Sequence, residues 1–225
     1  QARGYKFSTL EDPADNTVSI TFDDGYFNNL LFTELSQEYS IPYVVFVSAY
    51  YPLSGQGFPW LGANGSGYSQ MYQFDYYDHH RGPSKVRDAS RDTSPHRPLT
   101  FDELSTMTGN TLAEIGCHGY YHQPLSQEFE KYLEQEMSLA LAVFESELAT
   151  KPRYYALANG MYTGQVVREL LESFSKVFTI DGLPHRSKDK VVHRMSLTSP
   201  SVSAPLSAQI DPATFLPRRI KRAVR

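Results

Sequence analysis

Six short runs of strand-forming residues, at about 17–22, 42–48, 114–118, 154–158, 176–181 and 191–197, are spread along the chain, with helix-patterned stretches between several of them. A parallel neighbour is reached only through a crossover long enough to hold a helix, so this alternation is the rhythm of βαβ units. It predicts an α/β fold with a parallel sheet. The clearest helix is predicted from Gln127 to Ala149, where Phe129, Leu133, Met137, Leu141, Phe144 and Leu148 recur at spacings of three and four and Ser126 is placed to cap the first turn. Further helices are expected over Asn28–Tyr39 and Gly164–Phe174. A chain of 225 residues can build one sizeable core, and no internal repeat divides it, so residues 1–225 read as a single domain.

Residues 51–98 break the rhythm with many Gly, Ser, Pro and Tyr residues and no sustained periodicity, the mark of a long inserted loop. The insert leaves a strand near Ser48 and rejoins a helix opening at Thr100-Phe101-Asp102-Glu103-Leu104, so it starts where the carboxyl ends of the strands lie. Trp60, Tyr68, Tyr72, Tyr76 and Tyr77 are therefore expected to wall a sugar site, since aromatic faces stack on sugar C–H surfaces. Asp78, His79 and His80 read as surface residues, because adjacent side chains in extended chain diverge.

Loops at the carboxyl ends of parallel strands carry the chemistry of α/β proteins, and two motifs fall there. Thr21-Phe22-Asp23-Asp24-Gly25 ends the run Val18-Ser19-Ile20. Two adjacent carboxylates facing one site repel, and a divalent cation is the usual agent that relieves them. Ninety residues on, Glu114-Ile115-Gly116-Cys117-His118-Gly119-Tyr120-Tyr121-His122 sets two imidazoles four residues apart behind another strand. Asp24, His118 and His122 make an N₂O donor set that leaves coordination positions open, as a catalytic metal requires.

These residues resemble the polysaccharide deacetylase family, metal-dependent enzymes that remove N- or O-acyl groups from carbohydrates. The resemblance implies a distorted (β/α) barrel of about seven units with its active site at the carboxyl ends of the strands. It implies Asp23 as catalytic base, with Asp24, His118 and His122 holding a divalent metal, Zn²⁺ in the first place; Gly119 stands where the family has Ser or Thr. A third family motif, Arg followed by apolar residues and Pro-x-Gly, is matched in spacing by Arg153 to Gly160, with Ala158 in the proline place. Arg153 is then expected to orient the base, and the Asn159-Gly160 turn to supply an oxyanion donor. The family's late His motif is missing. His193, in Val191-Val192-His193-Arg194, is the expected general acid, with Asp181 orienting it.

The implied activity is hydrolysis of an acyl group, N-acetyl first, from an amino sugar that is free, nucleotide-linked, lipid-linked or polymeric, in surface polysaccharide or lipopolysaccharide assembly. A deformylase using the same site, or a catalytically silent carbohydrate-binding relative, is the alternative. A non-haem iron oxygenase shares the donor set, but those sites pair a His and the carboxylate one residue apart, and the α/β alternation gives no support to an all-β fold.

Net charge of −4 argues against a nucleic-acid surface. The exception is the tail over 198–225, where Arg218, Arg219, Lys221, Arg222 and Arg225 follow Phe215-Leu216, a pattern suited to weak contact with anionic headgroups. No run of 18 apolar residues spans a membrane, and a start at Gln1 with no apolar signal region leads to the expectation of a cytoplasmic protein. The single cysteine, Cys117, allows no intrachain disulfide and is expected as a small buried residue ending a strand.

Overall fold

The computed structural model describes residues 6–11, 17–61, 75–77, 94–180 and 189–194. Its strands are β1 (Lys6–Phe7), β2 (Thr17–Val18), β3 (Ile20–Phe22), β4 (Tyr43–Val47), β5 (Ala113–Cys117), β6 (Tyr154–Ala156), β7 (Lys176–Thr179) and β8 (Val191–His193). Its helices are α1 (Leu31–Tyr39), α2 (Tyr50–Ser54), α3 (Phe101–Thr108), α4 (Leu133–Leu148) and α5 (Gly164–Ser173). Strands β3 to β8 lie side by side in chain order, and every neighbouring pair is parallel. The sheet curls into a half-barrel with helices, in keeping with the expected (β/α) barrel. Among the described residues it holds six strands rather than about seven, and β1 with β2 makes a separate parallel pair.

Side chains alternate across each strand, so the curled sheet has two apolar faces. Val45, Val47, Cys117 and Val177 point outward onto Leu104, Met107, Phe144 and Leu170 of the helices. Val44, Phe46, Tyr154, Ala156 and Phe178 point into the concavity, where Val192 packs on them. Strand β4 is buried along its whole length, which explains its unbroken apolar sequence Tyr43-Val44-Val45-Phe46-Val47. Gly116 on the adjacent strand leaves room for Phe46, whose ring a Cβ there would strike. Cys117 is fully buried, and burial pushes its thiol well up, so it behaves as core.

The predicted helix over Gln127–Ala149 is shorter. Phe129 and Tyr132 are taken into a cluster with Tyr77 of the insert, whose ring stacks on Tyr132 at 4.2 Å. The chain there makes a 3₁₀ turn over Glu130–Tyr132, and the α-helix starts only at Leu133, so Ser126 caps nothing and instead accepts a turn bond from Phe129. The fully buried face is Leu133, Glu136, Ala140 and Phe144, which brings a carboxylate into the core stripe. Among the described residues no helix is long and apolar enough to cross a membrane. Asp181, the tail over 198–225, and Tyr68, Tyr72, Asp78, His79 and His80 of the insert lie outside the described residues.

Candidate metal centre

Strands β3 and β5 deliver the two motifs to the same end of the sheet. Asp24 Oδ1 lies 3.4 Å from His118 Nε2 and 3.2 Å from His122 Nε2, and one ligand atom from each residue falls within 4.8 Å of the others. His118 continues β5, its amide donating to Val47 O at 2.9 Å. Its Nδ1 sits 2.8 Å from the carbonyl of Ala156, which can only accept, so Nδ1 carries a proton and Nε2 is the nitrogen that faces Asp24. Two imidazole nitrogens and a carboxylate oxygen that converge on one point, with the far ring nitrogen of His118 fixed by a carbonyl, fit a divalent metal held by Asp24, His118 and His122.

The backbone is bent to achieve this aim. Asp24 and His122 have φ of 72° and 66°, left-handed values that non-glycine residues avoid and that persist where the surrounding fold enforces them. Gly25, at φ 84°, completes the first turn against Val47.

Burial would raise both acids, but opposite charges win. The imidazoles of His122 and His118 hold Asp24 far below the usual carboxylate range, and Arg194 with His118 holds Asp23 down. The two histidines diverge: burial is outweighed at His118 by Asp23 and Asp24, which raise it, whereas burial dominates at His122 and lowers it.

Asp23 is gripped by Arg194. Nη1 and Nη2 meet its two carboxylate oxygens at 2.6 and 2.8 Å, Nη1 also reaches Thr21 Oγ1 at 3.1 Å, and the guanidinium lies over the Phe46 ring. Arg153, expected in that place, does not meet Asp23. Arg153 stands before β6, at the amino end of the strands, where Nε binds Glu114 Oε1 at 3.0 Å and Nη1 binds Glu11 Oε1 at 2.8 Å. Those partners lie at the opposite end of the sheet from the metal residues. Arg194 was adjacent to a residue singled out by sequence, but no spacing rule tied it to Asp23.

His193, expected as general acid, points to the helix side of the sheet. Its strand neighbour Val192 packs inside the concavity, so His193 faces the other way, and its Nδ1 meets Thr179 Oγ1 at 2.8 Å on the helix side of the sheet. The Asn159-Gly160 turn does lie at the carboxyl end of β6, beyond the Ala156 carbonyl that fixes His118. Asn159 is left-handed at φ 53°; its Nδ2 is buried with no hydrogen-bond partner among the described residues, while the Gly160 amide donates to Leu157 O at 3.3 Å.

Among the described residues of the insert, Trp60, Tyr76 and Tyr77 are buried in packed aromatic clusters. Trp60 and Tyr76 are buried with Tyr51 and Phe58, and Trp60 lies 4.6 Å from the His122 ring while donating its indole N–H to Tyr26 Oη at 2.6 Å. Tyr77 is buried against Tyr132. These rings shield His122 from water and explain its lowered basicity.

Comparison with known proteins bears on the fold and the family. The polysaccharide deacetylase family model matches residues 11–174. No curated protein matches the chain. Among solved structures, IcaB from Ammonifex degensii superposes with a TM-score of 0.62 at 20% identity, over 88% of this chain and 78% of that one. The Streptococcus pyogenes deacetylase PplD in complex with acetate gives 0.62 at 15% identity, over 94% and 82%. A de-N-acetylase from Aggregatibacter actinomycetemcomitans gives 0.59 at 16%, over 86% and 79%. At these identities the likeness is one of fold, and it is the family model, spanning most of the chain, that assigns it: the chain belongs to the polysaccharide deacetylase family.

Proposed function

We propose that the chain is a metal-dependent hydrolase that removes an acyl group, N-acetyl in the first instance, from an amino sugar. The observation that carries this is the union, on one end of one sheet, of an Asp-His-His donor set with a second carboxylate oriented by its own arginine. A bare binding site needs no oriented base beside its metal.

A divalent cation held by Asp24, His118 and His122, Zn²⁺ first, would supply acidification of water and polarisation of the acyl oxygen. The chain's own groups do the rest. Asp23, fixed by both Arg194 nitrogens, presents one orientation of its carboxylate and takes the proton of the attacking water. Asn159 Nδ2, a buried donor without a partner among the described residues, is suited to the oxyanion that forms on the acyl carbon. With His193 on the far face, we assign proton return to the departing amine to the same Asp23 carboxyl. Trp60 and its neighbours keep bulk water from His122.

The test is release of acetate or formate from a panel of N-acylated amino sugars by Zn²⁺-loaded protein, alongside Asp23→Asn and His118→Ala. Release by the wild type alone supports the reading and names the leaving acid. Bound metal with no release from any sugar would favour a silent carbohydrate-binding relative.

A further inference from the structure

Glu136 of α4 is fully buried, yet it makes no ion pair with a basic side chain among the described residues; its partners are backbone amides. Oε2 accepts from the Tyr120 amide at 2.9 Å and from the Gln123 amide at 3.3 Å, and Oε1 accepts from the Tyr121 amide at 2.9 Å. All three amides belong to the loop that runs from His118 to just past His122. Burial raises this carboxyl to about 7, against the pull of the same amides and of the Tyr77 hydroxyl beside it.

A carboxyl group is rarely buried without a strong reason, and an amide bond to its ionised form is worth about 1.5–3 kcal/mol. The loop otherwise has an awkward conformation, with Gly119 at φ 82° and His122 at φ 66°. In such a turn successive N–H groups converge inward with no carbonyl to meet them, and Glu136 meets them from the helix. The same geometry accounts for the glycine between the histidines. A Cβ on residue 119 would strike Glu136 Oε2 and press on the Tyr155 hydroxyl, so the space a Ser or Thr side chain would use is filled by the carboxylate. The loop is further tied outward by Gln123, whose Oε1 accepts from the Tyr76 amide of the insert at 2.8 Å.

We propose that Glu136 is a positioning residue of the metal centre: its carboxylate threads the amides of the His118–His122 loop, with Gly119 as its steric counterpart, and so sets the two imidazoles against Asp24. This rests on the metal-dependent reading above. Loss of one carboxylate oxygen should leave the fold standing but let His122 drift from His118 and Asp24.

The experiment compares wild type, Glu136→Gln and Gly119→Ala as full-length protein, by Zn²⁺ affinity in competition with a chromogenic chelator and by the visible spectrum of the Co²⁺-substituted protein. Thermal melts certify that each variant is folded at the assay temperature. Glu136→Gln is expected to weaken Zn²⁺ binding by about ten- to a hundredfold and to shift the Co²⁺ bands, as supporting residues around metal ligands do. A folded Glu136→Gln with a lower melting temperature but wild-type Zn²⁺ affinity and Co²⁺ spectrum would show a purely structural role and overturn the proposal. If that variant does not fold, Gly119→Ala decides: weakened Zn²⁺ binding supports the coupled pair, and unchanged affinity and spectrum overturn it. A wild type that binds neither Zn²⁺ nor Co²⁺ would bring down the metal reading itself, an outcome distinct from failure of the variants alone.

Discussion

Arg194 and Asp23 form a bidentate pair at 2.6 and 2.8 Å between the two edge strands of the six-stranded sheet, β8 carrying the cation and β3 the acid. The pair does two jobs at once. It fixes the proposed base in one orientation, and with the bond to Thr21 it ties the ends of an open sheet across the mouth of the curl.

A fork of two parallel bonds cannot be reproduced by an ammonium group. Arg194→Ala is expected to lower kcat by about a hundredfold with metal content unchanged, in the range seen for residues supporting metal-site chemistry, and Arg194→Lys should recover only part of the loss. Arg153→Ala, on the far side of the sheet, should leave kcat within about twofold, the ordinary outcome for a half-exposed ion pair. Steady-state kinetics with metal analysis on the three variants decides between the two arginines; a larger loss from Arg153→Ala would restore the sequence-based assignment.

Metal occupancy should register as stability. A cation that binds only the folded chain stabilises it by about 2.7 kcal/mol when present at a hundred times its Kd. Adding Zn²⁺ to chelator-stripped wild type is therefore expected to raise Tm by several degrees. Asp24→Asn, which keeps the shape of the site but removes its charge, should show little or no such rise. Calorimetric scans with and without Zn²⁺ check this, and equal shifts in both proteins would place the metal elsewhere.

The strand rhythm, the Asp23-Asp24 pair and the His118–His122 spacing were legible in the sequence because each is local: short strand-forming runs between helix-patterned stretches, and side chains on one short loop. What the sequence hid was long-range. Arg194 meets Asp23 from 171 positions away, and nothing in the local pattern says which arginine will face the concavity. The placement of His193 turns on strand phase. Once Val192 and Arg194 point inward, the residue between them must point out, and three residues of strand give too little alternation to fix that phase beforehand. Glu136 left a faint trace, an acid in register with Leu133, Ala140 and Phe144, which the more apolar stripe through Met137 and Leu141 obscured.

The phase of β8 makes its own prediction. A general acid contributes about 10²- to 10⁴-fold to rate. His193, bonded to Thr179 on the helix side, is expected to contribute none of it, so His193→Ala should keep kcat within about threefold and shift no limb of the pH–rate profile. A drop of a hundredfold in kcat would mean that β8 presents the opposite face to substrate.

Trp60 joins the insert to the metal centre, since its ring lies 4.6 Å from His122 and its indole N–H binds Tyr26, two residues past Asp24. Truncating a buried aromatic of this kind costs about 3–5 kcal/mol. Trp60→Ala is expected to lower Tm and, by letting water reach His122, to raise KM and lower kcat together, whereas Trp60→Phe should keep most of both. Chemical denaturation paired with kinetics measures the two effects; wild-type stability in Trp60→Ala would show that the insert packs loosely.

The far end of the insert is anchored by Glu103. Its carboxylate accepts from the Thr100 amide at 2.9 Å while Thr100 Oγ1 accepts from the Glu103 amide, a reciprocal cap on α3, and both oxygens also meet Arg97 at 2.6 and 2.9 Å. Arg97 in turn lies over the Phe27 ring, and Leu99 donates to the Gly25 carbonyl at 2.9 Å, so the cap holds the segment that braces the turn after Asp24. The bonds from Arg97 lower the Glu103 carboxyl below its ordinary value of 4.5. A group depressed in the folded state adds stability that is complete above its unfolded value and is lost as pH falls through the folded one. Glu103→Gln is therefore expected to reduce stability by about 1 kcal/mol at pH 7 and to flatten the decline of stability below pH 4.5 relative to wild type. Urea unfolding at pH 7 and at a series of acid pH values reads both effects; parallel curves for the two proteins across the acid range would show that the Arg97 pair does not hold the Glu103 proton off in solution.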